Sequence, residues 1–114
     1  MQRITNFDEF WLFYVREHAT PLNRQLHFIG SSCGLVCLLL GVTQGNWRFI
    51  PLGLLLGYGF AWVGHFFIER NKPASFSYPL WSLCGDWKMW ALMLRGKMQF
   101  EVERAIRETV AQTV

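Results

Sequence analysis

Two stretches of the chain stand out for what they lack. From Gln25 to Trp47 no residue carries a formal charge, and from Phe49 to Ile68 none does again. Each run meets the length of roughly 20 apolar residues that a helix needs to cross a bilayer. The segment TQGNWR between them holds a Gly/Asn turn and one arginine. The pattern therefore predicts two membrane helices, over about 24–43 and 49–70, joined as a tight hairpin.

The flanking segments alternate differently. NFDEFWLFYVREH opens with an Asn/Asp capping signal and places Phe7, Phe10, Trp11 and Tyr14 on one helical face, which predicts an interfacial helix over 6–18. Pro21 closes the link to the first membrane helix. After the hairpin, NKPASFSYP reads as a loop, and PLWSLCGDWKMWALML as a helix over 79–94. That helix is apolar and aromatic but interrupted by Asp86 and Lys88, so a third span, a re-entrant segment and an interface helix all fit. Trp81, Trp87 and Trp90 favour interface depth. KMQFEVERAIRETVAQ predicts a last, amphipathic helix over 97–112. The expected fold class is all-α: a small integral membrane bundle, residues 1–114 forming one domain around a two-helix hairpin.

Composition strengthens this picture. Hydrophobic residues make up 52% of the 114 and charged residues only 17%, against about 25% charged in an ordinary soluble domain. A chain this small cannot hide so much apolar surface in a core of its own. The net charge of +3 is spread over the polar segments. It does not form the basic face that a nucleic-acid partner requires, and suits a rim facing anionic lipid headgroups. Arg3, Arg16, Arg24, Arg70, Lys72, Lys88, Arg95 and Lys97 all lie outside the hairpin turn, which has only Arg48. By the positive-inside rule both termini then face the cytoplasm, in the inner membrane of a bacterium or the endoplasmic reticulum of a eukaryote. Cys33, Cys37 and Cys84 form neither a CxxC pair nor an even set, and read as packing residues.

The polar residues inside the greasy runs are the chemical question. With Asn46 as the turn, His27 lies nineteen residues before it and His65 nineteen after. In an antiparallel hairpin the two are level, about 28 Å from the turn. Asn23 and Glu69 are level as well. Gly30, Gly34, Cys37 and Gly41 continue the His27 face; Gly53, Gly57 and Ala61 lead to His65. Such small-residue stripes let membrane helices approach closely. His18 ends the first predicted helix, nine residues before His27, near enough to fold back to the same mouth. Neutral imidazoles with a carboxylate and open positions suit Fe(II), Mn(II) or Zn(II). Taken singly, each histidine also reads as a hydrogen-bonded interface residue, and Asp86 as a helix cap. Trp62 and Phe66 flank His65 and either line an acyl-chain slot or simply pack. No G-x-S-x-G elbow, P-loop or H-E-x-x-H motif is present, so serine-hydrolase, NTPase and zinc-protease readings lack support.

Two blocks carry a family resemblance. FWLFYVREHATPLNRQLHFIG, from Phe10 to Gly30, follows the pattern FxxFYxxEHxxxxNRxxHxIG. It precedes GYGFAWVGHFFIERNKPASFSYPLWSLCGDW, from Gly57 to Trp87. Together, in this order, they resemble the Mpo-like family of membrane proteins over roughly residues 5 to 107. The resemblance implies an Fe(II)-dependent dioxygenase that α-oxidises 2-hydroxy fatty acids with O2 to chains one carbon shorter. It implies His18, His27 and His65 as iron ligands, with Glu69 favoured as the acidic partner and Glu17 and Asp86 as proton-handling candidates. Asn23 and Arg24 are expected to hold the substrate carboxylate, and Trp62 and Phe66 the acyl chain. The implied partners are a 2-hydroxy fatty acid, O2 and membrane lipid, with room for a homo-oligomer. The competing class is a non-catalytic membrane adaptor or lipid-binding module. Histidine-rich di-iron membrane hydroxylases are a poor match, because three histidines are too few.

Overall fold

Helix α1, Phe7–Glu17, begins where the capping signal places it: the Asn6 side chain accepts the Glu9 amide at 2.9 Å. This is an N-cap bond satisfying a donor the helix leaves orphaned. Asp8 and Glu9 add negative charge to the first turn, where the helix dipole favours it. His18 ends α1 in a non-helical conformation. The computed structural model describes residues 3–113, and the described residues are all helical or loop, without strands.

α1 belongs to a unit formed by the residues up to Ala19 and those from Ala74 onward. A short 3₁₀ turn, Ala74–Phe76, leads into α4, Pro79–Leu94, and α5, Met98–Thr113, follows. The core of this unit is aromatic: Phe10, Trp11, Tyr14 and Val15 from α1 pack with Met89, Met98, Val102 and Ala105. Phe10 touches Tyr78 and Trp81 with ring centroids 5.5 and 5.7 Å apart, distances at which offset and edge contacts add to simple burial. The interrupted segment left open by the sequence is thus a 16-residue helix packed with α1 and α5, and Gly85 lies against the Tyr14 ring, where a Cβ would come within 3.1 Å.

The second unit, Thr20–Pro73, is the hairpin. α2 runs over Pro21–Gln44 and α3 over Phe49–Val63, continued by a π-helical turn at Gly64–Glu69. α2 starts three residues earlier than the hydropathy pattern suggests. Proline at the first helical position has a preset φ and needs no amide partner there, so Pro21 opens the helix instead of ending the link before it. Gly45 closes α2 with a left-handed φ of 63°, a conformation that glycine adopts without steric cost. The predicted stripes do face each other: a Cβ on Gly30 would meet Phe60 Cβ at 2.9 Å, and one on Gly53 would meet Cys37 Cβ at 2.9 Å.

α2 is 24 residues long, and α3 with its π turn spans 21, both apolar enough to cross a membrane. Only 22% and 17% of their most apolar windows are buried within the protein. A core helix of a soluble protein would be mostly covered; here Val42, Leu55 and Phe67 are each about 70% exposed. The outward face is the one that lipid would solvate.

Candidate metal centre

His27 and His65 approach across the hairpin with ring centroids 4.8 Å apart and planes nearly perpendicular. The equal-depth expectation therefore holds. His18, at the end of α1, stands two residues before α2 in the chain, and the three histidines together make a candidate metal-binding group. All three residues are buried, at 1%, 5% and 2% exposure for His18, His27 and His65.

The second nitrogen of each ring decides what the cluster can do. His18 Nδ1 lies 2.6 Å from the Tyr14 carbonyl oxygen, and His27 Nδ1 lies 3.1 Å from the Asn23 carbonyl oxygen. His65 Nδ1 lies 2.7 Å from Asn71 Oδ1. A carbonyl oxygen only accepts, so in each neutral ring Nδ1 carries the proton and Nε2 the lone pair. This is the arrangement in which outer partners fix tautomer and ring orientation in metal-ligating histidines. Three neutral imidazoles of one tautomer form a donor set suited to a divalent transition metal, so the residues present fit such an ion.

The His65 anchor depends on the π turn. Its widened geometry, a feature that recurs at functional sites, brings the Asn71 amide to the His65 carbonyl at 2.9 Å while the Asn71 side chain meets the ring. Arg70 takes a left-handed φ of 59° to make that reversal, which costs a non-glycine residue about 1–2 kcal/mol. Gly64 begins the turn at the point where Asn23 presses in; a Cβ there would overlap Asn23 Oδ1.

Glu69 is turned toward the start of α2. It accepts the Thr20 amide at 2.6 Å and the Asn23 side-chain amide at 3.4 Å. It thereby satisfies the amide of the N-cap residue, whose own side chain makes no cap bond. Asn23 and Arg24 are both buried, at 0% and 6% exposure. Trp62 and Phe66 lie on the outer surface of the hairpin, in edge contact with each other at 6.2 Å. Glu17 is half-buried at the end of α1.

Asp86, in the α1–α4–α5 unit, accepts the Tyr14 hydroxyl at 2.5 Å, a separation typical of a charge-assisted bond. Burial pushes its carboxyl up to about 6, against the Tyr14 hydrogen bond that pulls it down. Burial first, then the charge of Asp86 and the bond to it, raise the Tyr14 phenol well above its ordinary value. Tyr14 in turn stacks on His18 with centroids 4.0 Å apart.

Tyr14 and Asn71 are the site residues that spacing did not single out. Tyr14 sits four residues before His18, one helical turn away, and that signal was available. Asn71 lies beyond the helix in a segment that reads as loop, with no periodicity to mark it.

Fold and site together define a class: a small protein, all-helical among the described residues, with two helices of membrane-spanning length and three buried histidines that could hold a metal ion. The chain belongs to the 2-hydroxy-palmitic acid dioxygenase Mpo1-like family, whose model matches residues 4–98. No curated protein and no solved structure matches it.

Proposed function

We propose that the protein is a membrane Fe(II)-dependent dioxygenase that shortens 2-hydroxy fatty acids by one carbon. The observation that carries this reading is the shared tautomer of His18, His27 and His65, each with Nδ1 held by a carbonyl oxygen, together with the His27 and His65 rings meeting across the hairpin at 4.8 Å. The family description supports the substrate class. The family match runs through both units, which supports treating residues 1–114 as one functional domain.

In this reading the three histidines would hold the ion, and Fe(II) bound there would supply oxygen activation. Atoms balance without another reductant: a 2-hydroxy acid and O2 give the shortened acid, CO2 and water. Glu69 keeps the first turn of α2 against the π turn and so holds His27 level with His65. Asn23 and Arg24, both in the hairpin mouth and both interacting with Glu69, meet the substrate carboxylate in this reading. Trp62 and Phe66 offer an aromatic outer wall along which an acyl chain lies in lipid. Glu17 and Asp86 are the carboxylates available for proton handling, Asp86 through Tyr14. Both termini face the cytoplasm, as the arginine and lysine distribution favours.

The test is anaerobic Fe(II) loading followed by O2 and 2-hydroxypalmitate. The expected product is the fifteen-carbon acid, formed by the wild type and absent with His27→Ala or His65→Ala, which also lose bound iron. Intact substrate in protein that holds iron would refute the reading.

A further inference from the structure

Trp11, Tyr14 and His18 share one face of α1, spaced three and four residues apart, and their rings form a continuous stack. Tyr14 lies on His18 at 4.0 Å with planes 24° apart, and Trp11 lies on Tyr14 at 5.6 Å with planes 14° apart. Each oxidisable ring has a carboxylate at its proton. The Tyr14 hydroxyl donates to Asp86 at 2.5 Å, and the Trp11 Nε1–H donates to Glu101 Oε1 at 3.1 Å. Packing alone accounts for neither pairing, since phenylalanine would fill the same aromatic core without burying polar groups.

We propose that this stack is a relay that carries single oxidising equivalents from the histidine cluster through Tyr14 to Trp11. The purpose of the relay rests on the reading of the cluster as an oxygen-activating centre; its ability to conduct rests on the geometry alone. In the first step one electron leaves Tyr14 for an oxygen-derived one-electron oxidant at the cluster. The phenolic proton passes to Asp86, leaving a neutral phenoxyl radical and a carboxylic acid. In the second step one electron passes from Trp11 to Tyr14 and the proton returns from Asp86, restoring the phenol. The indole proton moves to Glu101, leaving a neutral indolyl radical on Trp11. A one-electron donor from solvent, such as a thiol, then restores Trp11.

Lys88 sharpens the chemistry. Its ammonium sits 4.3 Å over the Trp11 ring, a cation–π contact that favours the neutral, electron-rich indole and opposes a radical cation. Oxidation of Trp11 must therefore shed its proton, and Glu101 is the acceptor in place, itself held by Arg104 at 2.9 Å. The relay thus ends on a ring that is 2% exposed but bordered by the partly exposed Glu101 and exposed Lys88. Such a path protects the histidines when oxygen is activated with no substrate present.

Two measurements test it. In metal-free protein, pulse radiolysis with azide radicals oxidises tryptophan, and the coupling of the stacked rings is read in the reverse direction, as conversion of the indolyl into the phenoxyl absorption. The wild type is expected to show a fast, concentration-independent phase that Tyr14→Phe and Trp11→Phe each abolish and Asp86→Asn slows. All variants carry Tyr58→Phe and Tyr78→Phe, because Trp81–Tyr78 stacks at 5.8 Å and 13°, as closely as Trp11–Tyr14, and would give a phase of its own. In iron-loaded protein treated with hydrogen peroxide without substrate, peptide mass spectrometry is expected to find oxidised indole at Trp11 ahead of Trp47. Diffusing radicals would choose the opposite order, because Trp47 is 72% exposed. Tyr14→Phe should return Trp11 oxidation to the level of the iron-free control at unchanged iron content. An unaltered fast phase in Tyr14→Phe, or oxidation that follows exposure, overturns the relay. Failure to take up iron would overturn the proposed function instead, and the metal-free measurement would still decide whether the stack conducts.

Discussion

Gly64→Ala tests how the histidine pair is held. The new methyl would overlap Asn23 Oδ1 and approach Asn23 Cγ to 2.9 Å and Cα to 3.6 Å. The 3.6 Å approach to Cα is ordinary contact, so the Asn23 side chain must move to relieve the overlap, and that movement, inside a fully buried site, forfeits the bond to Glu69. Overpacking of this kind costs about 1–3 kcal/mol. Alanine also gains up to about 1 kcal/mol over glycine as a helix former, so a matched control is needed. Gly59 lies in α3, just before the π turn, with nothing within 4 Å of where a Cβ would stand, and Gly59→Ala collects the gain without the clash. The two variants should therefore differ by about 1–3 kcal/mol, roughly 5- to 160-fold in the folded-to-unfolded ratio. Denaturant unfolding in detergent micelles reads that difference, and equilibrium dialysis against Fe(II) should show weakened uptake by Gly64→Ala alone. Equal stability and equal iron binding in the two variants would refute the close approach of α2 to the π turn.

Further outcomes follow from single contacts. Asn71→Ala removes the acceptor from His65 Nδ1 and should weaken metal affinity by about 10- to 100-fold, measured by chelator competition; unchanged affinity would mean that Asn71 does not orient the ring. Asp86 has a folded pKa raised to about 6 from 3.8, so the neutral acid is the form the fold favours. Its contribution is present below pH 3.8, is lost as pH rises through about 6, and is level above. Asp86→Asn still accepts from Tyr14 and removes that slope, so the variant should gain stability relative to wild type across this window; parallel pH profiles would refute the assignment. Gly45→Ala, at φ 63° in the hairpin turn, should cost about 1–2 kcal/mol in unfolding free energy, and no cost would mean the turn is not left-handed.

The hairpin was legible in the sequence because its determinants are local and periodic. Charge-free length, a Gly/Asn turn and glycines at steps of three and four fix two antiparallel helices in register. Register alone makes His27 and His65 level. α1 was legible for the same reason, from the Asn6 cap to the face that carries Phe10, Trp11 and Tyr14. The bonds from His18 to the Tyr14 carbonyl and from His27 to the Asn23 carbonyl each join residues four apart, so they too follow from helical geometry.

Other features were decided only by the folded chain. The π turn at Gly64–Glu69 has the composition of an ordinary helix end, and neither its widening nor the approach of Asn23 to Gly64 shows in the pattern of residues. Glu69 reads as a ligand candidate by depth, yet in three dimensions its carboxylate accepts the Thr20 amide at the N-cap of α2. Asn71 reads as loop until Arg70 reverses the chain and swings it onto His65. The sequence by itself set where each histidine lies along its helix, since hydrophobic length and helical period depend on neighbours in the chain. Which nitrogen of His65 keeps its proton was left to tertiary structure, because it depends on an acceptor that only folding brings within 3 Å.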